Sequence, residues 1–271
     1  MSMPKSRVGK WFSAPAIAIL VAGTGAAQAY SLNVGIDTNA SGAVPLATTP
    51  LADAANTTFR SNLANTVTTE TFESKVVPTP GPLVLTFGGS NGNIFGTLAG
   101  GAGFVGSAAP GTTNSGRYSV PSGSSSNYWD VSLSNISFGD ATITFASDVA
   151  AFGFYGTDFG EFDGSFEMQL LGAVNNVLAN ITVNFAEPRF MDGSVLFLGV
   201  RAQSTGELFR SVRFIATGGD IVGMDNLVVA DACQARLGAC ADTGNVPEPG
   251  TLALAGVALL GMVAMRRRKS S

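Results

Sequence analysis

The chain contains no histidine. That absence excludes Ser-His-Asp and Cys-His nucleophilic catalysis, and it excludes zinc or copper held by imidazole. A catalytic reading has to be built from carboxylates, Tyr, Lys or Arg. Basic residues are scarce in the middle of the chain. Between Tyr30 and Gly250 one Lys (Lys75) and seven Arg stand against all 19 acids, a balance of −11 where the whole chain carries −4. Nucleic acid is therefore not an expected partner, because phosphates need a basic face. An acidic body suits solubility outside the cell and an affinity for divalent cations. A sustained 3.6-residue period is also missing between residues 68 and 230, and the 34 glycines of the chain disfavour helix, each costing about 1 kcal/mol relative to Ala inside one.

What is present begins at the two ends. Lys5, Arg7 and Lys10 precede a short apolar core, Ala14 to Val21, and Ala27-Gln28-Ala29 forms an A-x-A site. This pattern predicts a secretory signal peptide over residues 1–29, with the mature chain starting at Tyr30. At the far end come Val246-Pro247-Glu248-Pro249, an apolar run from Thr251 to Met265, and the cluster Arg266, Arg267, Arg268, Lys269. As a helix, the apolar run would measure about 22 Å at 1.5 Å per residue, short against a hydrocarbon core of about 30 Å. Snorkelling of Arg266 and local thinning would close part of the gap. The basic cluster keeps the C-terminus in the cytoplasm, so the Pro-Glu-Pro sits outside, at the membrane face. Its prolines fix an extended backbone of the kind a protease or transpeptidase cleft binds.

Between these ends, residues 30–66 are rich in Ala, Thr, Asn and Ser, and are expected to form an irregular entry segment. Residues 67–231 read as strands. "WDVSLSNISF" and "ATITFA" place Val131, Leu133, Ile143 and Phe145 on single faces, and "SFEMQLLG" does the same for Phe166, Met168 and Leu170. Turn signals separate such runs at the spacing of an all-β sandwich. The expected fold is all-β, an antiparallel jelly-roll-like β-sandwich with a signal peptide before it and a single apolar helix after it. Residues 232–246 are a disulfide loop and linker, and residues 247–271 the tail. Cys233 and Cys240 are expected to form a structural disulfide, since an exported chain meets an oxidising compartment. A redox pair would usually need C-x-x-C, and two thiols alone make a poor zinc site.

The order of motif, short apolar run and basic stop resembles the PEP-CTERM sorting signal of Gram-negative bacteria. That resemblance implies recognition by exosortase, a membrane transpeptidase, and release or attachment outside the cell. It also implies an association with exopolysaccharide and biofilm. The alternative is a simple tail anchor. The body, in "ITFASDVAAFGFYGTDFGEFDGSFEMQLL" and "FRSVRFIATGGDIVGMDNLVVA", is similar to the β-sandwich ectodomains often found ahead of such tails.

Three candidate sites follow. The resemblance to carbohydrate-binding and adhesion sandwiches implies a structural Ca²⁺ held by Glu73, in the first good strand, and Asp225, in the last. An alternative cation site gathers Asp158, Glu161, Asp163 and Glu167, although its spacing is not that of an EF-hand and the favoured reading is a solvated acidic turn between two strands. Tyr118, Tyr128 and Trp129 border a polar loop, where exposed rings would stack on sugars while Asn127 and Asp130 bond hydroxyls; a buried Trp129 opening a strand is the competing reading. The chain is expected to be non-catalytic, with extracellular polysaccharide as a partner. The alternatives are a glycan-binding module, or a glycan-active enzyme using carboxylates such as Asp158 and Asp163.

Overall fold

A computed structural model describes residues 18–23, 30–121, 126–133, 139–159, 165–184, 192–238 and 240. In chain order the strands are β1 (Ala18–Gly23), β2 (Ser31–Asp37), β3 (Thr69–Glu70), β4 (Thr79–Pro80), β5 (Leu83–Gly89), β6 (Gly92–Gly100), β7 (Phe104–Ser107), β8 (Asn127–Leu133), β9 (Ala141–Val149), β10 (Ala151–Thr157), β11 (Ser165–Leu171), β12 (Val177–Asn184), β13 (Val195–Arg201), β14 (Phe209–Ala216) and β15 (Asp220–Ala230). One α-helix, α1 (Pro50–Ser61), lies between β2 and β3. The strands form two antiparallel sheets. One runs β1-β12-β11-β14-β9-β6-β5 and the other β2-β13-β10-β15-β8-β7-β4, with β3 paired to β15 beside that path.

The alternating pattern explains the first sheet. In β5 the residues Leu83, Leu85 and Phe87 are buried while Val84 and Thr86 are exposed, and β11 repeats the alternation. Its inner face packs on the second sheet through phenylalanines. Phe152 and Phe154 of β10 meet Phe145 of β9, Phe166 of β11 and Phe214 of β14 at ring-centroid distances of 5.6–6.4 Å. These contacts make the pair of sheets a sandwich with an aromatic core. Strand β10 is buried at every position, which an alternating strand on a two-layer sandwich would not be.

Helix α1 supplies the third layer. The expectation of an irregular segment over 30–66 is corrected here: it holds β2 and α1. The Phe59 ring of α1 lies over Gly153 of β10 and Gly199 of β13, which are cross-strand partners. A Cβ at Gly153 would come within 2.8 Å of that ring, and one at Gly199 within 2.7 Å. The helix start is held by tertiary contact. Thr49 makes no side-chain cap, and the Asp37 carboxylate at the end of β2 instead accepts the Leu51 N–H at 3.2 Å and the Ala52 N–H at 2.8 Å.

A second difference concerns residues 1–29. Ala18–Gly23, inside the expected signal peptide, pairs antiparallel with β12 as an edge strand. Its sequence, AILVAG, is apolar and carries β-branched residues, so it meets the requirements of a strand as well as those of a signal core. The rest of the expected signal peptide lies outside the described residues. So do residues 241–271, which hold the linker's end and the expected apolar tail helix. Among the described residues no helix is long and apolar enough to cross a membrane. The chain divides into two units, Met1–Gly238 and Ala239–Ser271.

Candidate metal centre

Glu73 lies near enough to Asp225 for its charge to act on that carboxyl. Asp225 is central in β15, opposite Tyr155 of β10, and 2% exposed. Its carboxylate accepts the Ser119 hydroxyl at 2.6 Å and the Val120 N–H at 3.0 Å on one oxygen, and the Asn226 N–H at 2.6 Å on the other. Burial pushes the Asp225 carboxyl up to about 8; these hydrogen bonds oppose the rise, and the charge of Glu73 adds to it. Glu73 stands on the exposed side of the pair, in the turn after β3 and not in the strand expected for it. Its Oε1 accepts the N–H groups of Ser126 at 2.9 Å and Asn127 at 2.8 Å. Its second oxygen accepts no hydrogen bond from the described residues.

Local backbone aims both carboxylates. Phe72, before Glu73, has φ 59°, and Asn226, after Asp225, has φ 51°. Non-glycine residues avoid this left-handed region unless the surroundings hold them there. Phe72 is held by full burial and by stacking on Trp129, with ring centroids 6.4 Å apart and planes inclined by 26°. Asn226 is held by its side-chain amide, which donates to the Val120 carbonyl. Asn127 closes the turn: its Nδ2 donates to the carbonyls of Phe72 at 3.2 Å and Lys75 at 3.3 Å. The donor set is all oxygen, which suits a hard cation such as Ca²⁺. Among the described residues no group of three or more His, Cys, Asp and Glu is assembled, so this pair would supply only part of a shell of six or more oxygens. Carbonyls and water would have to complete it.

The alternative acidic site is organised differently. Asp158 is 1% exposed, with φ 68°. Its Oδ1 accepts the Gly193 N–H at 3.0 Å, and Arg117 reaches its Oδ2 at 3.5 Å. Arg117 also bonds Asp130 through Nε at 3.0 Å. Burial pushes the Asp158 carboxyl up to about 6, against the pull of the Gly193 amide and Arg117. Asp158 thus ties three chain segments together. A Cβ at Gly116 would fall 2.0 Å from its Oδ1, and Gly116 has φ 88°, so both space and backbone demand glycine there. Glu167 lies on β11 and accepts from Gln169 at 2.7 Å. Glu161 and Asp163 lie outside the described residues.

The aromatic platform is corrected. Tyr118 is 2% exposed, and Tyr128 and Trp129 are fully buried. The Trp129 indole packs against Gly103 and Gly81, where added Cβ atoms would approach to 2.4 Å and 3.2 Å. The Tyr118 hydroxyl donates to the Gly193 carbonyl at 2.8 Å. Tyr128 and Trp129 are successive residues of β8 and point to opposite faces of the sheet, and both faces are covered there: Trp129 lies against Phe72, Gly81 and Gly103, and Tyr128 against Gly106 and Gly223. Asn127 and Asp130, expected to bond sugar hydroxyls, are buried and engaged with the Phe72 turn and Arg117. The sequence reading missed Arg117 and Ser119, which only the fold brings beside the acids. Cys233 and Cys240 are disulfide-bonded.

Residues 245–269 match the PEP-CTERM protein-sorting motif. The chain carries this sorting signal. No curated protein matches the sequence. Among the solved structures similar at low level are the following three. The K2 cleaved adhesin domain of Lys-gingipain aligns at 15% identity and TM-score 0.34, covering 60% of this chain and 97% of its own. The enzymatically active domain of bacteriophage CBA120 tailspike protein 4 aligns at 13% identity and TM-score 0.30, over 51% of this chain and 19% of its own. TmCBM61 in complex with β-1,4-galactotriose aligns at 12% identity and TM-score 0.24, over 49% of this chain and 86% of its own. These scores are too low to transfer a topology or an activity.

Proposed function

We propose that this is an exported, non-catalytic β-sandwich protein of jelly-roll type, sorted by its C-terminal motif to the cell surface or extracellular matrix. The sorting motif at residues 245–269 carries the reading. In it, residues 1–29 are removed as a signal peptide. The run Thr251 to Met265 holds the chain in the membrane as a short helix, with Arg266, Arg267, Arg268 and Lys269 on the cytoplasmic side. Val246-Pro247-Glu248-Pro249 then meets an exosortase-type transpeptidase at the outer face. The acidic, oxygen-rich body is displayed where exopolysaccharide and divalent cations are abundant. A structural Ca²⁺ between Glu73 and Asp225 is part of this reading. Two features support it: the buried Asp225 carboxylate beside a second acid, and the strained residues flanking both.

Intact-mass spectrometry of the mature protein tests the sorting step by reading both ends at once. The expected mass lacks residues 1–29 and the basic tail. Glu248→Ala should leave unprocessed protein in the membrane fraction. A wild-type mature chain that still ends at Ser271 would sink the sorting reading and leave a plain tail anchor.

A further inference from the structure

Strand β12 owes one of its two ladders to a segment that the sorting reading removes. On one side it pairs with β11. On the other it pairs with β1, which covers six of its eight residues, from Ala18 opposite Asn184 to Gly23 opposite Ala179. That register is antiparallel and has no bulge. β1 reads AILVAG and β12 reads VLANITVN; neither has a charge or a proline, and both hold β-branched residues. β12 therefore lacks the charges and prolines by which sheet edges commonly refuse a further strand. In a strand between two antiparallel neighbours, alternate residues turn their N–H and C=O to each side, so those facing β1 lose their protein partners when it leaves. The expected cleavage point divides what is removable from what is fixed. Ala27-Gln28-Ala29 lies in residues 24–29, the link between Gly23 and Tyr30. Tyr30 is anchored: it is 9% exposed, its hydroxyl donates to the Glu207 carbonyl at 2.8 Å, and its ring meets Phe209 at 6.5 Å. β2 follows at once and pairs with β13, in the other sheet, from Ser31 to Asp37. A cut after Ala29 thus releases β1 and leaves the rest of the sandwich tied.

We infer, resting on the signal-peptide reading for the cleavage alone, that the β12 edge is a strand-acceptor site whose occupant is residues 18–23 of the uncleaved chain, and that loss of residues 1–29 uncovers it. One segment then serves two ends in turn. An apolar, uncharged, β-prone run is what a signal core needs, and it is also what this edge needs. It cannot lie in the export machinery and on β12 together. Folding of the body before export therefore withholds the leader, and export leaves the edge open. The opened edge takes an extended apolar strand by main-chain hydrogen bonding, in the register that β1 shows.

Hydrogen exchange along Ala179–Asn184 tests this on the full chain in detergent, before and after cutting with signal peptidase and removal of the freed leader. The amides that face β1 should be protected before the cut. After it they should exchange at least about tenfold faster, a change of about 1.4 kcal/mol in local opening. A lysine-tagged peptide of residues 16–25, added to the cut protein in large excess, should restore the protection. Ile19→Pro with Leu20→Pro breaks both phases of the ladder, on a strand that pairs with β12 alone, and should speed the same amides in the uncut chain. Exchange along Val195–Arg201, in the other sheet, should be equal in all of these samples. Equal exchange at Ala179–Asn184 before and after the cut overturns the inference. So does a double-proline chain as well protected as the wild type, or a peptide that restores nothing. A chain that signal peptidase leaves whole counts against the signal-peptide reading, and the double-proline chain still decides the edge.

Discussion

Chelation should lower the melting temperature of the wild-type protein by roughly 5–10 °C. A ligand that binds only the folded state adds RT ln(1 + [L]/Kd), about 2.7 kcal/mol at a hundredfold excess over Kd. About 1 kcal/mol moves a domain of this size by roughly 2–4 °C. Glu73→Gln should abolish the response to EDTA. Its melting temperature in EDTA should equal or slightly exceed that of the wild type in EDTA, because the substitution also removes the repulsion on Asp225. Asp163→Asn should leave the response intact; loss of it there would move the cation to the acids between Asp158 and Glu167.

The pH dependence sharpens that test. The Asp225 carboxyl is raised from the usual carboxylate range, near 4, to about 8. A raised carboxyl contributes stability that is fully present below the unfolded value and is lost as pH rises through the folded one. Metal-free protein should therefore lose stability steadily between about pH 4 and pH 8, as a buried group is forced to ionise. A cation binds the ionised form and displaces the proton, so its stabilisation should grow over the same interval. The EDTA effect is expected to be small at pH 5 and largest near pH 8. An effect that is flat across this range, or no EDTA effect at any pH, would remove the cation from the site. Asp225 would then be a protonated core carboxyl held by Ser119, Val120 and Asn226.

The alternating strands were legible because each carries its own record, whereas β1 and β2 were not read as strands. Leu83, Leu85 and Phe87 alternate with polar or exposed neighbours, and a period of two needs no tertiary information. The helix was not read, for physical reasons. "PLADAANTTFRS" is rich in Asn, Thr and Asp, all indifferent helix formers, and its buried residues, Ala52 and Phe59, give a thin apolar stripe. Signals were nevertheless present: Thr49-Pro50 is a helix start, Asp53 sits in the first turn and Arg60 in the last. The decisive cap, Asp37, lies on another element and is invisible locally. The expected meeting of a first strand holding Glu73 with the last strand is replaced by that of β3, the third strand, with β15, Glu73 following in the turn, and the partners that aim the two acids could not be read in advance. Phe72 takes its left-handed conformation because Trp129 lies beneath it, and that contact spans 57 residues of sequence. The aromatic platform failed for the same reason. Tyr128 and Trp129 look like loop-border residues in sequence, and only the distant groups packed over the two faces of β8 bury them.

Phe59→Ala should be among the most damaging single substitutions in the body, costing about 3–5 kcal/mol. The ring rests on a Gly153–Gly199 cross-strand pair, and neither residue has a side chain that could move into the space it leaves. Both glycines belong to strands fixed on each side by ladders, so collapse is limited and the cavity term stays large. Tyr155, whose hydroxyl donates to Asp53 at 2.7 Å, and Asp37, which caps the helix start, would remain as polar links between helix and sheet. The opposite perturbation should also harm. Gly199→Ala brings a methyl to within 2.7 Å of the Phe59 ring, and overpacking of this kind costs about 1–3 kcal/mol. Combining Phe59→Leu with Gly199→Ala should cost less than the two changes added together, because the smaller side chain makes room for the methyl. Denaturant melts of the wild type and these four variants measure this directly. Strict additivity, or a Phe59→Ala protein within about 1 kcal/mol of wild type, would mean that the helix does not lean on this glycine pair. The third layer would then be a loosely attached segment that the sandwich does not need.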